Sequence, residues 1–437
     1  MAELNSSAVL TNKELPLLYK VGIDIGKANC SLSILRTDKT AVTKPMEFPN
    51  AKAGYEWLDH KLEQLGCEKT QLLIGLEATS RYWENLLHHL VAEGYPTQLL
   101  HPAQTYQFAK RRGMRAKTDR IDAELIARFV LSGDARPAYV PNELITTYRE
   151  LIRLHTNLAD EATRYKNELR AMLEVLFPEF TQVFADPSAP TALALLQRYG
   201  GAEAMVRAGI DEIYSTLHEL SPRRYGRGAA QRLVALAQAS QASPLAHSAR
   251  ATSLGIICDQ LAHTQTNLAK LEEALGNLLQ SDKEADSLAS VPEFGQKVRA
   301  VLRGELGEVE RFERGDQVVA YGGLDLVIKE SGKWKGQPKL SKRGSGLLRR
   351  MLYLAVLHCL RMKQSAFKDY YQAMVTRGLR GRKAIMAVMR KMLLVAFHLL
   401  KSGETYDPTK VWSAPKPETA DCLPLPVSDP KLVAARA

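Results

Sequence analysis

Four acidic residues stand where their carboxylates could act on a single substrate. Asp24 alternates with apolar neighbours in "VGIDIG", and Glu77 ends the apolar run "QLLIGLE". Asp119 and Asp122 are three apart in "KTDRIDAELIARF", which places both on one face of a helix, where like charges repel by about a few tenths of a kcal/mol. Carboxylate oxygens suit Mg²⁺ or Mn²⁺. The set predicts phosphoryl chemistry on two bound ions about 3.5–4 Å apart.

Hydroxyl groups in the second half of the chain are candidate nucleophiles. Ser331 stands in "KESGK" after a predicted strand, whereas Ser341 and Ser345 precede a predicted helix, where a serine often caps the first turn. We expect Ser341 to be that cap. Tyr321 and Tyr353 are further hydroxyls, and Tyr321 is expected in the core. No His or Lys partner is fixed by spacing, so pattern alone does not choose the nucleophile.

The elements around the acids predict an α/β fold. Residues 19–36 read as two strands joined by a turn, and further strands are predicted in "AVTKPMEF", at 71–77 and in "PTQLLHP". Three strands followed by alternating helix and strand is the order of an RNase H-like (RuvC-like) domain, which we place at 19–140. If the first and fourth strands are neighbours, Asp24 and Glu77 converge. Taken one at a time, each acid could equally be an ordinary turn residue, a cap or an exposed helix residue. The prediction of a metal site therefore depends on the four acids together.

Residues 141–283 predict a long helical coiled-coil arm with a helical insertion at 178–250. Leucines and other apolar residues fall close to heptad spacing in two stretches. These are Leu144, Leu151, Leu154, Leu158, Tyr165, Leu169 and Leu176, then Leu254, Ile257, Leu261, Leu268, Leu271, Leu275 and Leu278. The two helices are expected either to pair as an antiparallel arm or to dimerise with another subunit. A plain helical core would give the same spacing.

Residues 284–402 predict a mostly helical, basic C-terminal domain. "SVPEFGQKVRAVLRGELG" resembles a helix–hairpin–helix, although Glu293 stands where such a hairpin more usually has Gly. Residues 1–18 read as a disordered leader and 403–437 as a disordered Pro-rich tail.

Charge predicts a nucleic-acid partner. The 437-residue chain has a formal net charge of +11, and residues 331–403 contain 17 Lys or Arg against one acid, Asp369. A stretch so one-sided is typical of phosphate binding. The candidate contacts are Lys333, Lys335, Lys339, Lys342, Arg343, Arg349 and Arg350.

The remaining composition indicates a reducing compartment. Five scattered cysteines give neither zinc-site nor disulfide spacing. No signal peptide is apparent before the first strand, and the longest apolar run, "MLYLAVLHCL", is too short to cross a bilayer. We expect a cytoplasmic, nucleoid-associated bacterial protein with no membrane partner.

Taken together, the motifs resemble one family of mobile-element enzymes. "GIDIGK", "GLEATSRYWE" and "KTDRIDAELIA" resemble the RuvC-like domain of the DEDD transposases, the insertion-sequence family "one-ten", which also contains Piv-type DNA invertases. "AYGGLDLVIKESG", "KLSKRGSGLLRRMLY" and "RKAIMAVMRKMLLVAFHLLKSG" resemble that family's C-terminal transposase domain. The resemblance covers roughly 19–176 and 254–402 and leaves the insertion unmatched.

This resemblance implies a recombinase that cuts and rejoins DNA. Asp24, Glu77, Asp119 and Asp122 would bind Mg²⁺ (or Mn²⁺), and the serine of the "ESG" position, Ser331, would attack DNA covalently. A guide (bridge) RNA encoded by the element would choose donor and target DNA. The subunits would form a homodimer that assembles to a tetramer, with the RuvC-like site of one facing the serine of another and the heptad helices as dimerising arm.

Three rival functions remain open at this point. "GIDIGKANCSLSIL" also resembles the first phosphate loop of actin-like ATPases and sugar kinases, but no second Gly-rich phosphate loop follows. A Holliday-junction-type nuclease would share the acids and need no serine. A non-catalytic RNA-binding scaffold would tolerate loss of all four acids.

Overall fold

The computed structural model describes most of the chain, in two compact units that divide after residue 144. The described ranges are 17–78, 80–113, 119–327, 330–331, 334–335, 339–379 and 381–411, with the backbone alone at 119, 120, 330, 331, 334 and 335. Lys333, almost all of the expected leader and the tail from 412 lie outside these ranges.

A mixed five-stranded sheet forms the centre of the first unit. Its strands are β1 (Tyr19–Ile25), β2 (Asn29–Arg36), β3 (Met46–Pro49), β4 (Leu72–Glu77) and β5 (Thr97–Leu100). The order is β3-β2-β1-β4-β5, with β1 antiparallel to β2 and parallel to β4. The expected neighbourhood of the first and fourth strands is therefore confirmed, and the sheet is consistent with a DEDD nuclease-like domain.

Helices cover both faces of this sheet. They are α1 (Lys52–Glu63), α2 (Trp83–Ala92), α3 (Pro102–Arg111) and α4 (Asp119–Leu131). The side chains of Ile23 and Leu76 are fully buried in a core that includes leucines of α1 and α2. Because side chains alternate along a strand, the residues between them face the other side, where α4 packs against β1, β2 and β4.

Two long helices begin the second unit and enclose the insertion. They are α5 (Glu143–Leu176) and α9 (His247–Ser281), with α6 (Pro190–Tyr199), α7 (Ala202–Leu220) and α8 (Arg227–Gln238) between them. His155 Nε2 of α5 lies 3.4 Å from Glu272 Oε1 of α9, while Leu176 shares a core cluster with Leu254. The start of α5 thus meets the end of α9, and the two helices run antiparallel.

Burial along α5 differs from that of a uniform heptad stripe. Leu169 and Leu176 are fully buried against the insertion helices, whereas the Leu154 side chain is half exposed. The insertion helices α6 to α8 therefore share a core with α5 and α9. Coiled-coil packing of the arm, within one chain or between chains, stays a prediction.

The rest of the second unit consists of short helices and a small β-ribbon. The helices before the ribbon are α10 (Asp286–Ala289), α11 (Gln296–Leu306) and α12 (Gly315–Tyr321). The ribbon contains β6 (Leu326–Val327), β7 (Glu330–Ser331), β8 (Trp334–Lys335) and β9 (Lys339–Leu340). After it come α13 (Gly346–Cys359), α14 (Ala366–Thr376) and α15 (Arg382–Ser402). None of the helices in the described ranges has the length and apolarity needed to cross a membrane.

Candidate active site

Asp24 and Glu77 stand side by side at the carboxyl ends of two neighbouring parallel strands. Ile23 pairs with Leu76 in the β1–β4 ladder, and the two acids are the next residue of each strand. Both side chains are half-buried, on the face opposite Ile23 and Leu76. The register therefore brings together two of the four predicted carboxylates.

Helix α4 lies directly on this face because two glycines leave room for it. A Cβ on Gly22 would lie 2.2 Å from the carbonyl oxygen of Ala123, and one on Gly75 would lie 2.5 Å from Cγ2 of Val130. Gly22 is two residues before Asp24 and pairs with Gly75 across the strands. Asp122 adjoins Ala123, so α4 carries it to the face that holds Asp24 and Glu77. The side chain of Asp119, one turn earlier, is outside the described set.

Thr105 of α3 holds the Glu77 carboxylate in place. Its hydroxyl donates to Glu77 Oε2 at 2.5 Å and lies 2.9 Å from the carbonyl oxygen of Pro102. The Thr105 side chain is almost fully buried. The sequence analysis did not identify Thr105. The available signal was a hydroxyl residue in the first turn of the helix that follows β5, which by itself does not indicate a partner for Glu77.

Cys30 borders the acids but is not suited to join them. It pairs with Ile25 at the end of β1. Burial first, and then the negative charge of Asp24, raise the pKa of the Cys30 thiol to about 12. The thiol therefore stays protonated at neutral pH, and a thiolate is the form that ligates metals or attacks. The donors at this site are carboxylate oxygens.

The acids fit a divalent cation in donor chemistry. Asp24, Glu77 and Asp122 offer the hard oxygen donors that Mg²⁺ or Mn²⁺ prefers. The described side chains, which do not include that of Asp119, contain no group of three or more His, Cys, Asp or Glu arranged to hold a metal ion, so these three acids do not form such a group by themselves.

Ser331 is placed on the β-ribbon of the second unit. Its backbone pairs with Trp334 in the antiparallel β7–β8 hairpin, so only two residues, both outside the described ranges, connect the paired positions. Strands β6 and β9, which flank this hairpin along the chain, also pair antiparallel. Ser331 is thus located near the turn of a ribbon that leads from α12 to α13.

The base of this ribbon is closely packed. A Cβ on Gly344 would lie 1.9 Å from the carbonyl oxygen of Tyr321, and Gly323 adopts a φ of +65°. Ser341 donates its N–H to the Asp325 carbonyl at 2.9 Å and its hydroxyl to the Asp325 carboxylate. These contacts join the segment between β9 and α13 to the end of α12 and the residues just after it.

The predicted helix cap at Ser341 is wrong. Ser345 is the residue whose hydroxyl accepts the N–H of Leu348, at 3.1 Å, and α13 begins at Gly346. Ser341 is four residues too early to reach the first turn, and its hydroxyl is engaged with Asp325. Tyr321, expected in the core, is only partly buried and lies against the guanidinium of Arg311.

Known transposase families match both the segment that contains the four acids and the segment that contains Ser331. Residues 21–178 match the transposase family described as DEDD transposase IS110, and residues 285–372 match the one described as "Transposase IS116/IS110/IS902 family". The first match includes all four acids, and the second includes Ser331. The chain belongs to the IS110/IS116 family of transposases. The insertion lies between the two matched segments.

Relatives in the same family align over much of the chain. The uncharacterized 43.6 kDa protein of insertion element IS110 from Streptomyces coelicolor is 27% identical, over 67% of this chain and 72% of its own. The 44.8 kDa protein of IS116 from Streptomyces clavuligerus is 24% identical, over 89% and 96%. The pilin gene-inverting protein of Moraxella bovis is 20% identical, over 89% and 97%.

The basic residues that this transposase presents near the ribbon fall into two groups. Lys339, Lys342 and Arg343 are exposed. Arg349 instead donates from Nη1 to the carbonyls of Gly322 (3.1 Å) and Gly344 (2.9 Å), and Arg350 forms a bidentate ion pair with Asp160 of α5. The side chain of Lys335 and the whole of Lys333 lie outside the described set.

Proposed function

We propose that this transposase is a DNA recombinase that cuts and rejoins DNA through a covalent phosphoserine at Ser331. The observation that carries the proposal is the register of Asp24 and Glu77 at the ends of adjacent parallel strands, with α4 packed on the same face. A serine on a separate, basic unit supplies the nucleophile that a plain metal-dependent nuclease lacks. Membership of a transposase family supports DNA as the substrate.

The four acids of the first unit would hold the metal. Asp24, Glu77, Asp119 and Asp122 provide the carboxylate oxygens, and Thr105 keeps Glu77 oriented. Bound Mg²⁺ would supply charge stabilisation at the scissile phosphate. The buried hydrophobic side of the sheet keeps the two strands rigid, so the carboxylates need little reorganisation on binding.

Ser331 would exchange one phosphoester for another. Its Oγ forms a bond to the scissile phosphorus, the bond from that phosphorus to one DNA oxygen breaks, and the serine proton ends on the released DNA hydroxyl. A hydroxyl of the partner strand then attacks the phosphoserine, and the serine recovers a proton. Because each step replaces one phosphoester with another, no external energy source is needed for rejoining.

The nucleic acids would be held by the basic second unit. Lys339, Lys342 and Arg343 are the exposed cations nearest the ribbon in sequence, and each can neutralise a phosphate. We further propose that an element-encoded bridge RNA selects donor and target DNA, and that a homodimer assembles to a tetramer. A structured noncoding RNA encoded beside the gene, with loops matching the element's ends and its target, would support this part.

Ser331→Ala tests the nucleophile. The variant should lose strand exchange and the covalent protein–DNA adduct while it still binds DNA and RNA, because only the attacking oxygen is removed. The measurement is recovery of protein-linked DNA after denaturation. Ser253→Ala, which removes a hydroxyl bonded within its own helix, is the matched control and should form the adduct normally. An adduct that persists in Ser331→Ala would place the nucleophile elsewhere.

Asp24→Asn tests the metal role. The amide keeps the shape of the side chain but removes its charge, so strand cleavage should stop at every Mg²⁺ concentration while DNA binding persists. Asp38→Asn, at an exposed turn of the same unit, should cleave DNA like the unaltered protein. Full activity of Asp24→Asn would exclude this carboxylate from the metal site.

A further inference from the structure

A cavity in the second unit lies outside the acid cluster and the β-ribbon. Its volume is about 410 Å³, within the range that small-molecule sites occupy. Residues of α5, α11 and the first turn of α13 line it, among them Arg153, Asn157, Glu305, Gly346 and Leu347.

Glu305 is the unusual member of this lining. It is only 8% exposed, and no hydrogen bond or ion pair to its carboxylate is found among the residues that the structure describes. Its carboxylate oxygens are not among the sealed, unpaired polar atoms of the described residues, so the part of the side chain that stays accessible faces the cavity. An ionised carboxylate is acceptor-only, with two oxygens that can take parallel hydrogen bonds. A ligand that presents two adjacent N–H donors would therefore match this carboxylate.

The other side of the lining attracts an anion. The backbone N–H groups in the first turn of a helix have no acceptor within that helix. In α13 the Ser345 hydroxyl accepts one of them, the N–H of Leu348. Gly346 and Leu347, the first two residues of α13, line the cavity, where the helix dipole favours negative charge. The Arg153 side chain, half exposed and 3.9 Å from Glu150, adds a positive charge.

We propose that this cavity binds an unpaired guanosine of the RNA, with its phosphate at the start of α13 and its Watson–Crick edge on Glu305. Guanine alone among the four bases presents two adjacent donors, N1–H and N2–H₂, on that edge. Adenine, cytosine and uracil each place an acceptor beside their donor, which would face a carboxylate oxygen. Single-stranded RNA loops expose this edge for recognition. The assignment to RNA rests on the proposed guide-RNA function.

The experiment measures mononucleotide binding to the full-length protein by calorimetry or ligand-observed NMR. GMP should bind at least about five-fold more tightly than AMP, CMP or UMP, since a good bidentate contact discriminates by this factor or more. GMP should also bind more tightly than dGMP. Equal binding of GMP and AMP, or no binding of any nucleotide at millimolar concentration, would refute the pocket, and equal binding of dGMP would refute the assignment to RNA.

Variants locate the effect. Glu305→Gln replaces one acceptor with a donor and should abolish the preference for GMP, whereas Glu310→Gln, an exposed acid of the following turn, should retain it. A preserved preference in Glu305→Gln would overturn the proposal. Arg153→Ala changes an exposed side chain and should weaken the binding of all four nucleotides equally, without altering the base preference. If it weakens the binding of GMP alone, the phosphate is bound elsewhere and the proposed orientation is wrong.

This outcome is separate from that of the proposed recombination. Mononucleotide binding requires neither the acids nor Ser331, so Ser331→Ala should bind GMP normally. If Ser331→Ala loses the adduct and the unaltered protein shows no preference for GMP, the guanosine pocket is refuted and the recombinase proposal is retained. If the unaltered protein prefers GMP but forms no adduct with DNA, the recombinase proposal is refuted and the pocket is retained.

Discussion

Individual residues of the candidate site depend on neighbours that are remote in sequence. Glu77 ends β4, but the hydroxyl that orients its carboxylate comes from Thr105, in the helix after the next strand. A hydrogen bond to a charged group contributes about 1.5–3 kcal/mol, enough to decide which rotamer a carboxylate adopts. Thr105 is therefore a positioning residue for the proposed metal site.

Thr105→Val should lower the rate of DNA cleavage by about ten-fold or more, because Val keeps the shape and loses the donor. It should also raise the Mg²⁺ concentration needed for half-maximal rate, which a purely structural defect would not do. Thr105→Ser restores the hydroxyl and should recover most of both values. The measurement is cleavage rate against Mg²⁺ concentration; an unchanged Mg²⁺ dependence in Thr105→Val would contradict the positioning role.

At the scale of elements, the close approach of α4 to the sheet places Asp122 on the face that carries Asp24 and Glu77. Gly22 meets the backbone of Ala123 and Ala127, and Gly75 meets the side chains of Ile126 and Val130. Any Cβ at Gly22 would have to displace helix backbone, which cannot rotate away as a side chain can. The position of α4 on the sheet, and with it that of Asp122, thus depends on the absence of side chains at Gly22 and Gly75.

Gly22→Ala should destabilise the protein by about 1–3 kcal/mol and abolish cleavage, because α4 must move off the sheet. Urea unfolding measures the stability. Gly255→Ala, inside α9 with nothing within 4 Å of the added Cβ, is the control and should raise stability by up to about 1 kcal/mol. If Gly22→Ala cleaves DNA at the normal rate, the proposed dependence of the site on α4 is wrong.

At the scale of the molecule, a buried ionic network joins parts of the second unit. Arg303 of α11 is fully buried and donates to the Asp282 carboxylate (2.7 Å), the Glu284 carboxylate (2.5 Å) and the Gly307 carbonyl (2.9 Å). Asp282 directly follows α9, so the network ties the long helices to the C-terminal helices. Burial of the Tyr148 hydroxyl nearby, together with the negative charge of Asp282, raises the pKa of the phenol.

Arg303→Met should cost about 3–5 kcal/mol of unfolding free energy, because it leaves the Asp282 carboxylate buried without its cation. Adding Asp282→Leu should recover part of that loss, since no lone buried charge then remains. Arg232→Met, at an exposed site of α8, should change stability little. The comparison is made by urea unfolding. A double variant less stable than Arg303→Met would indicate that packing, and not the unpaired charge, dominates.

The sequence alone determined the features that depend on local pattern. Alternating apolar residues and turns predicted the five strands, and helical spacing predicted α4 and the long helices. The four acids predicted a metal site, and the family resemblance, which pattern alone did not supply, pointed to Ser331. These features could be predicted because a strand or a helix repeats every two or 3.6 residues, and the residues that define it are close in the chain. The family resemblance rested on the same short motifs.

Only the tertiary structure decided the contacts between residues that are distant in the chain. It paired Thr105 with Glu77 and Gly22 with Ala123, and it engaged Ser341 with Asp325, which left Ser345 as the cap. It also placed Glu305 in the lining of a cavity between α5, α11 and α13. No local period encodes these contacts, since each depends on how whole elements pack and on which donors and acceptors that packing brings within about 3 Å of each other.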